Sequence, residues 1–219
     1  MARFSHADLE LALSLERFGR YLAWSEGDRE RAVELYTLNT RVSESLYTPL
    51  QSLEVALRYR IHVVMTEAFG GDGWFRQLGV LLNDRQPEQL TKAIEDLKSV
   101  NKMPTPGRIV AALSFGFWTA MFGPHYEGLW RTALHRIAAK PDGARLRRKD
   151  FPGPLTSIRI IRNRIAHHEP IVAWDLPGIH RKMVELTRWL SPVAAAWCRE
   201  NDRFEQVYPA ERISLAKHP

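Results

Sequence analysis

SIRIIRNRIAHHEP, residues 157–170, reads as the closing turns of an amphipathic helix. Ile158, Ile161 and Ile165 recur at i, i+3 and i+7, the spacing of a stripe buried against a helical core. Between and beyond them stand Arg159, Arg162, Asn163, Arg164, His167, His168 and Glu169. Pro170 stops the helix, because it has no N–H to donate and its ring disfavours helical geometry at Glu169. Two histidines and several arginines are thereby presented on and just past a terminal turn, a placement that allows acid–base chemistry on a phosphate.

Working outward, the same period recurs along the chain. Residues 6–24 carry leucines suited to a first helix, and Asp28 can cap a second that runs to about Leu46. Thr48-Pro49 is a start signal for a helix bearing Leu50, Leu53, Leu57, Ile61, Val64 and Met65 and ending at Gly70-Gly71. A turn follows at 70–75. Helices are then expected over 87–100, 107–122, 124–139 and 154–169, with a basic, glycine-containing loop at 141–152. An extended segment at 170–175 leads to two last helices, 176–190 and 192–204. No stretch alternates long enough for a strand, and no linker divides the chain. The expectation is one all-α domain over 1–219, a helical bundle with additional N- and C-terminal helices, in which residues 1–46 form an accessory element.

Composition narrows the class. The 219 residues carry a formal charge of +6, and the arginines cluster at Arg145, Arg147 and Arg148, next to Lys149, and again at 159–164. That clustering points to a polyanionic partner. Cys198 is the only cysteine, so no intrachain disulfide and no cysteine-built zinc site is available, which fits a reducing cytoplasm. The opening MARFSHADLE lacks the apolar core of a signal peptide. The longest apolar run, 109–123, falls short of the roughly 20 residues that a bilayer demands. A cytoplasmic protein with no membrane partner is expected.

The histidine–arginine set suits phosphodiester cleavage without a metal. A neutral imidazole can take the proton of a ribose 2′-hydroxyl, and a second can protonate the leaving 5′-oxygen. An arginine offers a permanently charged fork to the phosphate oxygens. RNA is the substrate this chemistry requires, since DNA lacks the 2′-hydroxyl. The plain alternative is that arginine and histidine complement the dipole of a helix C-terminus. Arg162 and His167, five residues apart, stand about 140° apart around a regular helix, so they do not share a face. A second copy of the chain can supply the missing half, as can unwinding near Pro170. No H-E-x-x-H, carboxylate cluster or phosphate-binding glycine loop is present, so neither a metal nor a cofactor is expected.

Three further sets are ambiguous. Glu54, Arg58 and His62 fall at i, i+4 and i+8, either a salt-bridged polar stripe or a face beside the motif helix that lends Arg58 to the site. Phe115, Phe117, Trp118 and Phe122 read as core. Trp74 and Phe75, in a turn, read as lids on the core and as the better candidates for exposed aromatics.

RNRIAHH contains R-N-x-x-x-H and resembles the R-x4–6-H motif of the HEPN superfamily. Further blocks resemble its Abi-like (abortive infection) branch, in order along the chain: LEVALRYRIH at 53–62, GDGWF at 71–75, PTPGRIVAALSFGFWTAMFG at 104–123, YEGLW at 126–130, IRIIRNRIAHHEPI at 158–171 and WLSPVAAAW at 189–197. The resemblance implies a HEPN-type helical bundle that forms a homodimer and, in many members, a metal-independent endoribonuclease acting as a toxin or in phage defence. It assigns Arg162 and His167 as the motif pair and Asn163 as their polar companion. His168 and Glu169 are supporting candidates, and Arg159, Arg164 and Arg58 are candidates for RNA binding. The family also contains non-catalytic RNA-binding or protein-interaction modules and proteins held by an antitoxin partner.

Overall fold

The computed structural model describes residues 12, 13, 15–211 and 213–216, and among them every regular element is helical. The longest helix, here α3, spans Tyr47–Phe69 and forms the axis of the main bundle. It begins one residue before the expected Thr48 cap. Leu46, itself helical, closes the preceding helix and opens this one, so Thr48 lies inside the first turn and its carbonyl accepts from Ser52 Oγ at 2.9 Å. Pro49 is tolerated there because the first-turn N–H groups have no intrahelical acceptor. At the far end Gly70 takes a left-handed φ of 71°, which closes the helix where the glycine pair predicts.

Before α3 come α1 (Leu15–Trp24) and α2 (Arg29–Ser45), joined by a short turn. The remainder of the expected first helix lies outside the described residues. Phe18, Tyr21, Ala32 and Leu35 form a small second core, covered by Ile213 and Leu215 from the C-terminal segment. The Ala216 N–H donates to the Trp24 carbonyl at 3.0 Å, which ties this segment to the end of α1. Val42 and Leu46, however, belong to the main core. The second helix therefore bridges both cores, and residues 1–46 do not separate cleanly as an accessory.

After α3, α4 (Arg85–Ser99) precedes two short helices, α5 (Pro106–Ala112) and α6 (Phe115–Ala120), where a single helix was expected. The break falls at Ser114, whose side chain accepts from the Phe117 N–H and caps a new start. It lets Phe115, Phe117 and Trp118 turn inward together with Phe122. The expected helix over 124–139 likewise divides into α7 (Glu127–Thr132) and flanking 3₁₀ turns. The motif helix α8 (Pro152–Ala166), α9 (Leu176–Leu190), α10 (Pro192–Asn201) and the short α11 (Phe204–Val207) complete the chain. The closing helix expected over 192–204 ends at Asn201, and a separate turn of helix follows.

α9 packs most extensively on α3, and α10 also lies against it. Trp74 and Phe75 are wholly buried rather than exposed, with Trp74 edge-on to Trp118. Phe151, at the entry to α8, stacks on Phe122 at 4.5 Å and meets Trp130 and Trp189 edge-on. Several polar groups inside this core are paired, although among the described residues the indole N–H of Trp118 is not. Tyr126 donates to Gln86 and accepts the Leu82 N–H at 2.8 Å, while Gln86 donates to the Phe117 carbonyl at 2.9 Å. His180 Nε2 meets Asp202 at 2.5 Å, with the imidazole stacked on Phe204, which pins α11 to α9.

Candidate functional site

The motif helix is held by the predicted stripe. Leu155, Ile158 and Ile161 are buried and Ile165 is half-buried against the main core. The opposite face, through Thr156, Ile160, Asn163 and His167, is exposed and continuous at helical spacing, with Arg159 at its edge. α8 is regular through Ala166, three residues short of the expected end. His167 occupies the C-cap and His168 takes a left-handed φ of 56°. The Glu169 N–H then donates to Arg164 O at 2.8 Å and the His168 N–H to Ile165 O at 3.0 Å, a Schellman closure. That position favours glycine, since a side chain there costs roughly 1–2 kcal/mol. The presence of histidine against that backbone preference is consistent with a role for its side chain.

The arginines of the motif differ sharply in what they do. Arg164 Nε donates to the Pro170 carbonyl at 3.0 Å, and its guanidinium meets Glu169 at 3.3 Å and lies over Trp174. It holds down the segment that follows the helix. Asn39 on α2 completes the clamp by accepting the Ile171 N–H at 2.7 Å. Residues 170–175, expected to be extended, form a turn in which Ile171 and Val172 are buried. Arg162 faces α3 and pairs with Glu54 at 3.7 Å, the guanidinium side chain remaining 39% exposed. A long, partly solvated pair of this kind contributes on the order of 0–1 kcal/mol, so a phosphate can displace it cheaply. Among the described residues, Asn163, His167 and His168 have no side-chain hydrogen-bond partner, and Arg159 is exposed without an ion pair.

Glu54, Arg58 and His62 do form one face of α3, but each is used differently. Arg58 Nη1 donates to the Ala111 carbonyl at the end of α5 at 3.3 Å. It makes no hydrogen bond or ion pair to α8 among the described residues. His62 Nδ1 accepts from Trp74 Nε1 at 3.1 Å, and burial, opposed by Asp72, lowers its pKa. In the folded state His62 therefore stays neutral at a pH where the unfolded chain has taken up a proton. Stability should be unaffected above about pH 6.5 and fall as the pH drops from there towards the depressed folded pKa. Urea midpoints for wild type and His62→Gln between pH 7.5 and 5 test this, and equal acid sensitivity in both would contradict it.

Cys198 is buried, which pushes its thiol up and leaves it a poor nucleophile. Among the described residues, no three His, Cys, Asp or Glu side chains gather as a metal site, and no helix is long and apolar enough to cross a membrane.

The cationic side chains around the 140–149 loop were legible only as a basic run. The fold adds Arg131, His135 and Lys140 to Arg145, Arg147, Arg148 and Lys149 around one cleft. No spacing rule connects those positions.

No family model, curated protein or solved structure matches the chain.

Proposed function

We propose that this chain is a metal-independent endoribonuclease that works as a homodimer, with the end of α8 as each half of the site. The observation that carries the reading is the pairing of exposed Asn163 and His167, at i and i+4, on a helix end where Arg162, Arg164 and Glu169 are engaged. The resemblance to the Abi-like HEPN branch supports the same assignment, and with it a role in phage defence, or as a toxin held by an antitoxin, within the cytoplasm.

His167 takes the proton of a ribose 2′-hydroxyl. The 2′-oxygen attacks phosphorus and the bond to the 5′-oxygen breaks. A second imidazole, from His168 or from His167 of the partner subunit, delivers a proton to that oxygen. The products are a 2′,3′-cyclic phosphate and a 5′-hydroxyl. Arg162, leaving Glu54, neutralises the charge that gathers on the phosphate oxygens, and Asn163 orients the imidazole or one of those oxygens. Glu169, bound to Arg164, keeps the helix end in shape rather than entering the chemistry.

The geometry of the helix supports a dimer. α8 is regular through Ala166, so Arg162 and His167 diverge by about 140° in one chain. A second copy supplies the complement. α3 carries an exposed stripe beside Glu54, with Tyr47 66%, Val55 41% and Tyr59 61% exposed, apolar surface suited to such a contact.

Incubation of the chain with 3′-labelled single-stranded RNA in EDTA should yield fragments bearing a 5′-hydroxyl, while an all-2′-deoxy strand of the same sequence stays intact. Intact RNA under these conditions would rule the reading out. The Glu54–Arg162 pair favours one other reading, a non-catalytic RNA-binding or protein-interaction module in which Arg162 serves only to join α8 to α3.

A further inference from the structure

We infer that the cleft between α7 and the 140–149 loop grips the phosphates of a single RNA strand and leads it along α8 to the motif. The inference rests on RNA as the partner, and it adds where, outside the cleaving groups, that strand is held.

The cleft measures about 940 Å³ and is open to solvent. Six cationic side chains line it, against the carboxylate of Glu127. Three of the six are internally committed. Arg131 Nε donates to Glu127 at 3.3 Å. Arg148 donates to Glu127 at 2.7 Å and to the Phe122 carbonyl at 2.5 Å. Lys140 pairs with Asp150 at 2.8 Å and lies over the Trp189 ring. The Arg148 hydrogen bond holds the Glu127 carboxyl below the usual range. Burial works against Asp150, but the Lys140 and Arg147 N–H bonds outweigh it and hold that carboxyl down too. Both acids therefore stay ionised and satisfied, and they brace the loop rather than neutralise its outer charges.

Those outer charges alternate along the loop with more buried neighbours: Arg145, Arg147 and Lys149 are exposed, while Leu146 and Arg148 are half-buried. Lys149 stands in the 3₁₀ turn Arg148–Asp150, at the end of the loop that leads into α8. Among the described residues, none of the three side chains has an ion-pair partner. His135, also exposed, donates from Nδ1 to the Trp130 carbonyl at 3.0 Å, which fixes its ring at the cleft wall where a base can stack.

A second groove of about 370 Å³ contains Arg85, Thr156 and Arg159, and offers the strand its next contacts. Thr156 starts the exposed stripe that passes Asn163 and reaches His167. α8 has 15 residues and is about 22 Å long, the span a strand running along it must cover. Roughly seven stacked nucleotides cover that span, at about 3.4 Å each.

Fluorescence anisotropy with a labelled, unstructured 15-nucleotide RNA, in EDTA and on the His167→Ala background, tests the cleft. Arg145→Ala/Arg147→Ala/Lys149→Ala should raise Kd about tenfold or more, and should lower the slope of log K against log salt by about 2, near 0.7 per lost phosphate contact. Lys98→Ala/Lys102→Ala/Lys182→Ala, which removes the same charge from exposed sites elsewhere, should change neither. Circular dichroism confirms that each variant is folded. A cleft variant with wild-type Kd and slope overturns the inference while leaving cleavage by wild type intact. RNA held by the cleft but never cut supports the inference and overturns the ribonuclease reading alone. Loop-dependent binding of phosphatidylserine vesicles with no binding of RNA would overturn the inference in favour of a membrane surface.

Discussion

Replacing His167 with alanine is expected to slow RNA cleavage by about 10²–10⁴-fold, the range a positioned general acid–base contributes. The fold itself should not change. The imidazole is exposed at the C-cap and, among the described residues, makes no side-chain hydrogen bond, while the Schellman closure uses only backbone groups. Thermal unfolding of His167→Ala should thus superimpose on wild type while single-turnover cleavage in EDTA collapses. Arg162 supplies a contrast. Arg162→Lys keeps the charge and the reach to Glu54 but loses the planar fork, so its cleavage rate should fall although α8 stays in place. Undiminished cleavage by His167→Ala would remove the residue from the mechanism, and with it the assignment of the motif.

The largest stability effect is expected at Phe151. The ring is fully buried, stacks on Phe122, and meets Trp130 and Trp189 edge-on. Truncation to alanine removes these contacts and leaves a cavity, a loss of about 3–5 kcal/mol. For a chain of this size that corresponds to a fall in Tm of about 10 °C. Phe151 directly precedes α8, so the loosening bears on the site as well. Phe151→Leu, which keeps most of the volume, should recover more than half of the loss. Urea unfolding of the two variants checks both figures, and a cost below about 1 kcal/mol for alanine would show that the aromatic cluster can collapse around the gap.

Periodicity carried much of the fold. The stripe of Ile158, Ile161 and Ile165 and the glycine pair at 70–71 were readable because each depends on local geometry. What failed was also local, but competitive. Ser114 lets the chain restart a helix at a point where apolar periodicity alone runs on, and the restart expected at Thr48-Pro49 comes slightly earlier, after Leu46. At 170–175 the sequence suggests an extended link, and only the Arg164 and Asn39 clamps, reaching from elsewhere in the fold, close it into a turn.

The candidate site divides in the same way. Residue types and spacing determined that one helix ends in a set of side chains suited to acid–base chemistry, and that Arg162 and His167 face apart. The tertiary structure decided which of those side chains are available. Arg164 is spent on the segment after the helix, Arg58 on the end of α5, and Arg162 on a weak pair with Glu54, while Asn163 and His167 face solvent. It also gathered Arg131, His135 and Lys140 onto the basic run at 145–149. A side chain's period around a helix is fixed by its own backbone, but its partners are set by what packs across from it. For Arg58 that partner lies 53 residues away in sequence, and for Arg162 it is Glu54 on α3, far earlier in the chain.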